Sequence, residues 1–254
     1  MLESLLQFAL CIASAATAIH LLVSGLFRKY RFFFIYLVLR TPYGLAPFLF
    51  KVTTKAYFYV WFCAEPLFCL LYILIVLELY RLVLANYLGL QTIGKWAMYV
   101  ISAAAIAISG FTMILKVGPG TPFRSSRLAF VLALQRGVDT TLVIFLVLML
   151  MFLSRYPIRL SHNVRVYALV YPIFFMSSVF QALMFTLFDR RFGDTVNLAM
   201  SALSLASTTA FLFLLRRTGE EVPKIESSLT PEHGQILLSQ LDALNATMLR
   251  VSRR

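Results

Sequence analysis

"VLALQRGVDTTLVIFLVLML" (residues 131–150) fixes the fold class and poses the central problem of the chain. A hydrocarbon core about 30 Å thick takes about 20 apolar residues per helix, which this stretch supplies. Yet Arg136 and Asp139 stand inside it, one helical turn apart. A charge at a helix centre costs about 2.5–3.5 kcal/mol on insertion scales, so both must face partners within a bundle.

Working outward, the whole chain has the composition of an integral membrane protein. It is 60% hydrophobic and only 13% charged, with a mean hydropathy of +0.82, where soluble domains run near 25% charged. Seven apolar stretches fit the 20-residue ruler: Leu5–Phe27, Phe32–Phe50, Ala56–Leu79, Trp96–Leu115, Leu128–Leu153, Val166–Phe188 and Val196–Leu215. The expected fold is all-α, a seven-helix transmembrane domain over residues 1–217 followed by a tail over 218–254. Only Glu3 precedes the first span and its apolar run is long, so it reads as a retained helix rather than a cleaved signal.

The net charge of +12 does not point to nucleic acid, because the cations gather at span ends, where they set orientation. With the N-terminus outside, the inner loops and tail hold 14 Lys and Arg and the outer loops 7. The expectation is N-out and C-in, in a plasma or bacterial inner membrane. Tyr57, Tyr59 and Trp61, and Trp96 with Tyr99, fit aromatic belts at span ends. Cys11, Cys63 and Cys69 all fall in spans without a CxxC pair and read as small hydrophobes.

Placed by depth, Arg40 of span two, Glu65 of span three, and Arg136 and Asp139 of span five fall within roughly 6–8 Å of one plane, at 1.5 Å per residue. Their formal charges cancel. Arg136 and Asp139 can pair along one helix and Arg40 can reach Glu65, although an exchanged pairing is equally allowed. Gln135, His20 and Gln181 can extend this buried polar cluster. It reads equally well as a static clamp on helix register or as a hydrated site for a small solute or protons. For His20 alone, an ordinary satisfied imidazole is the better reading.

Three further features stand outside the cluster. Pro42 and Pro47 predict a kinked or locally unwound second span. Glu78 and Arg81, spaced i,i+3, form an inner-interface pair able to reach headgroups. Stripes of small residues, Ala103–Ala107–Gly110 and Asn197–Ser201–Ser204–Thr208, read as helix-packing surfaces. In the tail, Thr230 and Pro231 open a predicted amphipathic helix over about 231–250. Its apolar seam is Leu237, Leu241, Leu244, Met248 and Val251, too short to stand alone. It calls for a second copy, a cytoplasmic protein, the loops or the bilayer surface as partner.

The last span has no lysine for a retinal Schiff base, and His20, His162 and His233 lack carboxylates at metal-ligand spacing. No nucleophile elbow and no phosphate loop appear. The expectation is a non-enzymatic protein with no cofactor and no metal.

Four stretches, "FRKYRFFFIYLVLRTPY" (27–43), "YVWFCAEPLFCLLYILIVLELYRLVLANYLG" (59–89), "QRGV" (135–138) and "RYPIRLSHNV" (155–164), carry a resemblance. In them the chain resembles a family of uncharacterised bacterial seven-span membrane proteins with no established activity. The matching positions include Arg40, Glu65, Pro66, Glu78, Tyr80, Arg136, Gly137, Tyr156, Pro157, Ser161 and Asn163. Gln135 stands where that family carries an acid and Asp139 is outside its pattern, which implies Glu65 as the partner of Arg136. The resemblance implies topology and supplies no function.

Overall fold

A computed structural model describes residues 2–50, 54–85, 123–155, 160–187 and 193–220, with isolated positions elsewhere. Some side chains inside helices, those of Arg136 and Gln181 among them, lie outside the described residues. So do most of the expected span Trp96–Leu115 and the tail seam Leu237, Leu241, Leu244, Met248 and Val251. Within those regions Ala103, Ala107, Ser239 and Ala243 are helical.

Six long helices are described: α1 (Leu2–Val23), α2 (Arg31–Leu49), α3 (Lys55–Val83), α4 (Phe123–Arg155), α5 (His162–Leu187) and α6 (Gly193–Leu214). Five of them are long and apolar enough to cross a membrane. Each packs on the next in chain order, α6 closes the ring against α1, and α3 also touches α5 across the middle. α2 runs antiparallel to α1 and α3, and α5 to α6. By contrast α3 and α4 run parallel, Cys69 and Tyr80 lying beside Asp139 and Phe145 in the same order, as do α1 and α6, where His20 meets Leu215. One end of the ring therefore gathers the turn after α1, the end of α3, the start of α5 and the end of α6.

Local chemistry sets the boundaries. Gly25 adopts φ 75°, the left-handed conformation open to glycine, and ends α1. Thr54 caps α3, its hydroxyl accepting the Tyr57 N–H at 3.3 Å. Tyr30 precedes α2 and offers no side-chain cap. That role passes to α3, where Glu78 accepts the Arg31 N–H at 2.8 Å and the Phe32 N–H at 3.3 Å. Glu78 is thus turned into the bundle rather than toward headgroups, because unpaired N–H groups at a helix start attract a carboxylate. Arg81 stays exposed one turn on, close enough for its charge to act on Glu78. The expected unwinding of span two is absent: α2 runs unbroken through Pro42 and Pro47.

Small residues line the contact of α1 with α6, where Thr208 is the member of the second stripe seen at the seam. Ser14, Thr17 and Ala18 are buried on α1, and the Thr17 hydroxyl reaches the Thr208 carbonyl at 3.4 Å. Large apolar side chains point outward instead, among them Phe8, Ile19, Leu148 and Phe213. An aqueous protein would hide that surface; a bilayer solvates it.

Candidate functional site

The interior holds two polar regions joined by packed aromatic rings. The first is near mid-helix. Arg40 of α2 points among Tyr36, Tyr43 and Tyr72, with Glu65 near enough for the two charges to interact. Among the described residues the direct bond to Glu65 comes from Tyr43, whose hydroxyl donates to Glu65 Oε1 at 2.8 Å, and not from Arg40. Tyr43 lies one turn from Arg40 on the same helix face, so the spacing that placed Arg40 also placed it. Asp139 of α4 is 4% exposed and faces the same region, its charge felt at Cys69 and Tyr72 and the Glu65 charge felt at Asp139. Its Oδ1 is buried without a hydrogen-bond partner.

Three of the four expected charges, Arg40, Glu65 and Asp139, therefore share one interior. The pairing of Arg136 lies outside the described residues, as does any role of Gln181. Gln135 is half-buried one turn before Asp139. His20 belongs elsewhere. Its Nε2 is 3.0 Å from the Leu215 carbonyl at the end of α6, where the last carbonyls of a helix lack partners.

A cavity of about 50 Å³ opens between α1 and α2 beside Arg40, lined by Gln7, Leu10, Cys11, Ser14, Arg40, Tyr43 and Gly44. Gly44 allows this approach, since a Cβ there would run into the Cys11 sulfur. A second, apolar groove of about 260 Å³ lies between α2 and α3, along Pro42, Ala46, Leu49, Val60 and Leu67. Among the described residues no three His, Cys, Asp or Glu side chains converge on a point that could hold a metal.

The second polar region caps the ring at the end that carries Tyr30. After α6 the chain enters a short 3-10 turn, Arg217–Glu220, which is fastened to the bundle on three sides. Asn163, fully buried at the start of α5, donates from Nδ2 to the Arg216 carbonyl and to Glu220 Oε1, both at 2.7 Å. Its Oδ1 accepts the Arg216 N–H at 3.0 Å. The Tyr30 hydroxyl donates to Glu220 Oε1 at 2.8 Å, and Lys29 forms an ion pair with Glu220 Oε2. Burial, and the Glu220 carboxylate beside it, hold the Tyr30 phenol well above its ordinary value. A Cβ at Gly219 would collide with the Asn163 amide, so glycine is required there for close approach. We call this arrangement the latch. Exposed cations surround it, including Arg28, Arg31, Arg155, Arg165 and Arg217.

Rings connect the two regions. Tyr30 packs on Tyr167 at 4.7 Å between centroids, Tyr167 on Tyr171 at 4.8 Å, and Tyr171 on Phe175 at 5.9 Å. Phe175 meets Tyr72 edge-on at 5.1 Å, and Tyr72 is a neighbour of Arg40. The Tyr167 and Tyr171 hydroxyls are within reach of each other without the alignment of a hydrogen bond.

The latch was not anticipated from sequence. Asn163 entered only through the family resemblance, and Glu220 fell in the stretch over 218–254 read only as a tail. No protein-family model, curated protein or solved structure matches the chain.

Proposed function

We propose that this protein is a non-enzymatic membrane sensor or scaffold whose bundle fixes the departure point of a partner-binding tail. The observation that carries the reading is the latch. Asn163, Tyr30 and Lys29 grip Arg216–Glu220, the link between α6 and the tail. A tail that merely dangled would need no such attachment. Three side chains from two separate parts of the ring hold it, and two of them, Asn163 and Tyr30, are fully buried. The tail helix expected over about 231–250 is then presented in a set direction to a cytoplasmic protein or a second copy.

In this reading the chain spans a bacterial inner membrane seven times with its N-terminus outside. The latch end, with its exposed arginines, faces the cytoplasm, which agrees with the excess of cations on that side. Removing residues 228–254 tests the proposal. Self-association or co-purifying partners should be lost while the bundle stays folded; unchanged association would end the tail's assigned role.

A second reading, transport of a small solute or of protons through Arg40, Glu65, Arg136 and Asp139, draws on the cavity beside Arg40. Flux in proteoliposomes tests it. Transport that persists unaltered in an Arg136→Leu/Asp139→Leu double variant removes both residues from the path.

A further inference from the structure

We propose that the cavity between α1 and α2 is a binding site for a carboxylate, held by the Arg40 guanidinium. The inference rests on the sensor reading and names the chemistry that would be sensed. Arg40 carries five N–H donors and a permanent charge. Among the described residues it makes neither a hydrogen bond nor an ion pair, although it lies among Tyr36, Tyr43 and Tyr72 with Glu65 within range of its charge. Its nearest acid, Glu65, takes its hydrogen bond from Tyr43 and does not line the cavity. A desolvated guanidinium with free donors is costly, and an anion in the adjoining space offsets that cost.

The lining selects the class of anion. Among the described residues Arg40 is the only charged one on the wall, and Gln7, Ser14 and Tyr43 add neutral polar groups. One cation suits one negative charge, which disfavours a phosphate dianion. The volume of about 50 Å³ exceeds the roughly 10–15 Å³ that one water needs. It matches a group of a few heavy atoms, and the planar fork of arginine fits two carboxylate oxygens at once. Leu10 and Cys11 supply an apolar flank that a hydrated halide would not favour.

Two sources present that group: a small soluble acid, or a fatty acid whose chain runs out between α1 and α2 into the bilayer. Equilibrium binding of labelled acetate and labelled oleate to the full chain in nanodiscs, with sodium chloride as background salt, separates them. We expect saturable binding of at least one probe, lowered more than tenfold in Arg40→Gln at equal lipid. Losing a charge-assisted hydrogen bond is worth roughly 10- to 150-fold. Should Arg40→Gln not fold, Arg40→Lys keeps the charge, loses the fork and should bind roughly tenfold more weakly. Acetate binding identifies a soluble acid, and oleate binding alone identifies a membrane-derived one. Absence of saturable binding for both probes, or equal binding by the folded Arg40 variants, overturns the proposal. None of these outcomes depends on the tail, so they leave the latch and its own test untouched.

Discussion

Replacing Asn163 by aspartate changes one atom type and should open the latch. The native amide donates two hydrogen bonds of 2.7 Å, one to the Arg216 carbonyl and one to the Glu220 carboxylate, and accepts one of 3.0 Å. Asn163→Asp preserves shape and the accepting oxygen but turns the donor into a second acceptor. The lost neutral bond is worth about 0.5–1.5 kcal/mol and the lost bond to a carboxylate about 1.5–3 kcal/mol. A central figure of about 3 kcal/mol shifts the opening equilibrium by roughly 150-fold, at about 1.4 kcal/mol per tenfold. The new carboxylate also faces Glu220, adding repulsion. Hydrogen exchange at the Arg216 and Gly219 amides reads the opening locally, since Gly219 N–H is itself bonded to the Arg216 carbonyl at 3.0 Å. Acid supplies a second signature. Two apposed carboxylates share a proton more readily than either takes one alone, so the deficit should shrink as pH falls through about 5. Exchange within about threefold of the unmodified protein at neutral pH, or a deficit indifferent to acid, would refute the account.

Other substitutions separate the remaining forces. Glu78→Ala should destabilise the bundle by about 1–2 kcal/mol, as α2 loses the side-chain cap described above, and Glu78→Gln by about half that, since an amide oxygen still accepts. Thermal unfolding of the purified variants checks the order. Gly219→Ala should accelerate exchange at Arg216 as Asn163→Asp does, because the added methyl displaces the Asn163 amide. Tyr30 predicts an alkaline limit. Its phenol is raised above the ordinary value of about 10, so the folded state holds a proton that the unfolded chain releases. Its contribution is complete below about pH 10 and declines above it. A pH titration of stability should show that decline, and Tyr30→Phe should flatten it.

How far the sequence foretold this molecule depended on the kind of signal. Helix positions were legible because burial in lipid demands long apolar runs, and each described helix overlaps its expected span. The ends were less so, since caps act across the fold. Nothing near Arg31 announces that α2 will be capped by Glu78, 47 positions away. Arg40, Glu65 and Asp139 were legible because a charge in an apolar run is conspicuous. His20 lies apart from the cluster as a satisfied imidazole against the Leu215 carbonyl, since depth along a helix says nothing about direction around the bundle. The latch left almost no trace, because Asn163 and Glu220 sit in polar end segments where such residues are common.

The two polar regions differ in a way that bears on which one moves. Around Arg40, hydrogen bonds are sparse among the described residues, Asp139 Oδ1 has no partner there, and Arg40 lies within range of the Glu65 charge and of three tyrosines. At the latch, both carboxylate oxygens of Glu220 are engaged and Asn163 uses both ends of its amide. An under-bonded interior gains most from a ligand, while a fully bonded cap loses most from any displacement. The ring stack from Tyr72 to Tyr30 touches both and is closely packed, so a shift at one end has little slack to absorb it. A ligand that ordered the Arg40 region would therefore be read at Glu220 as tightening or release. Phe175→Ala, which breaks that stack beside Tyr72, separates contact from coupling. Acetate or oleate should still bind beside Arg40, but binding should no longer change amide exchange at Arg216 and Gly219. Exchange that responds equally with and without the ring would assign the coupling to the helices themselves.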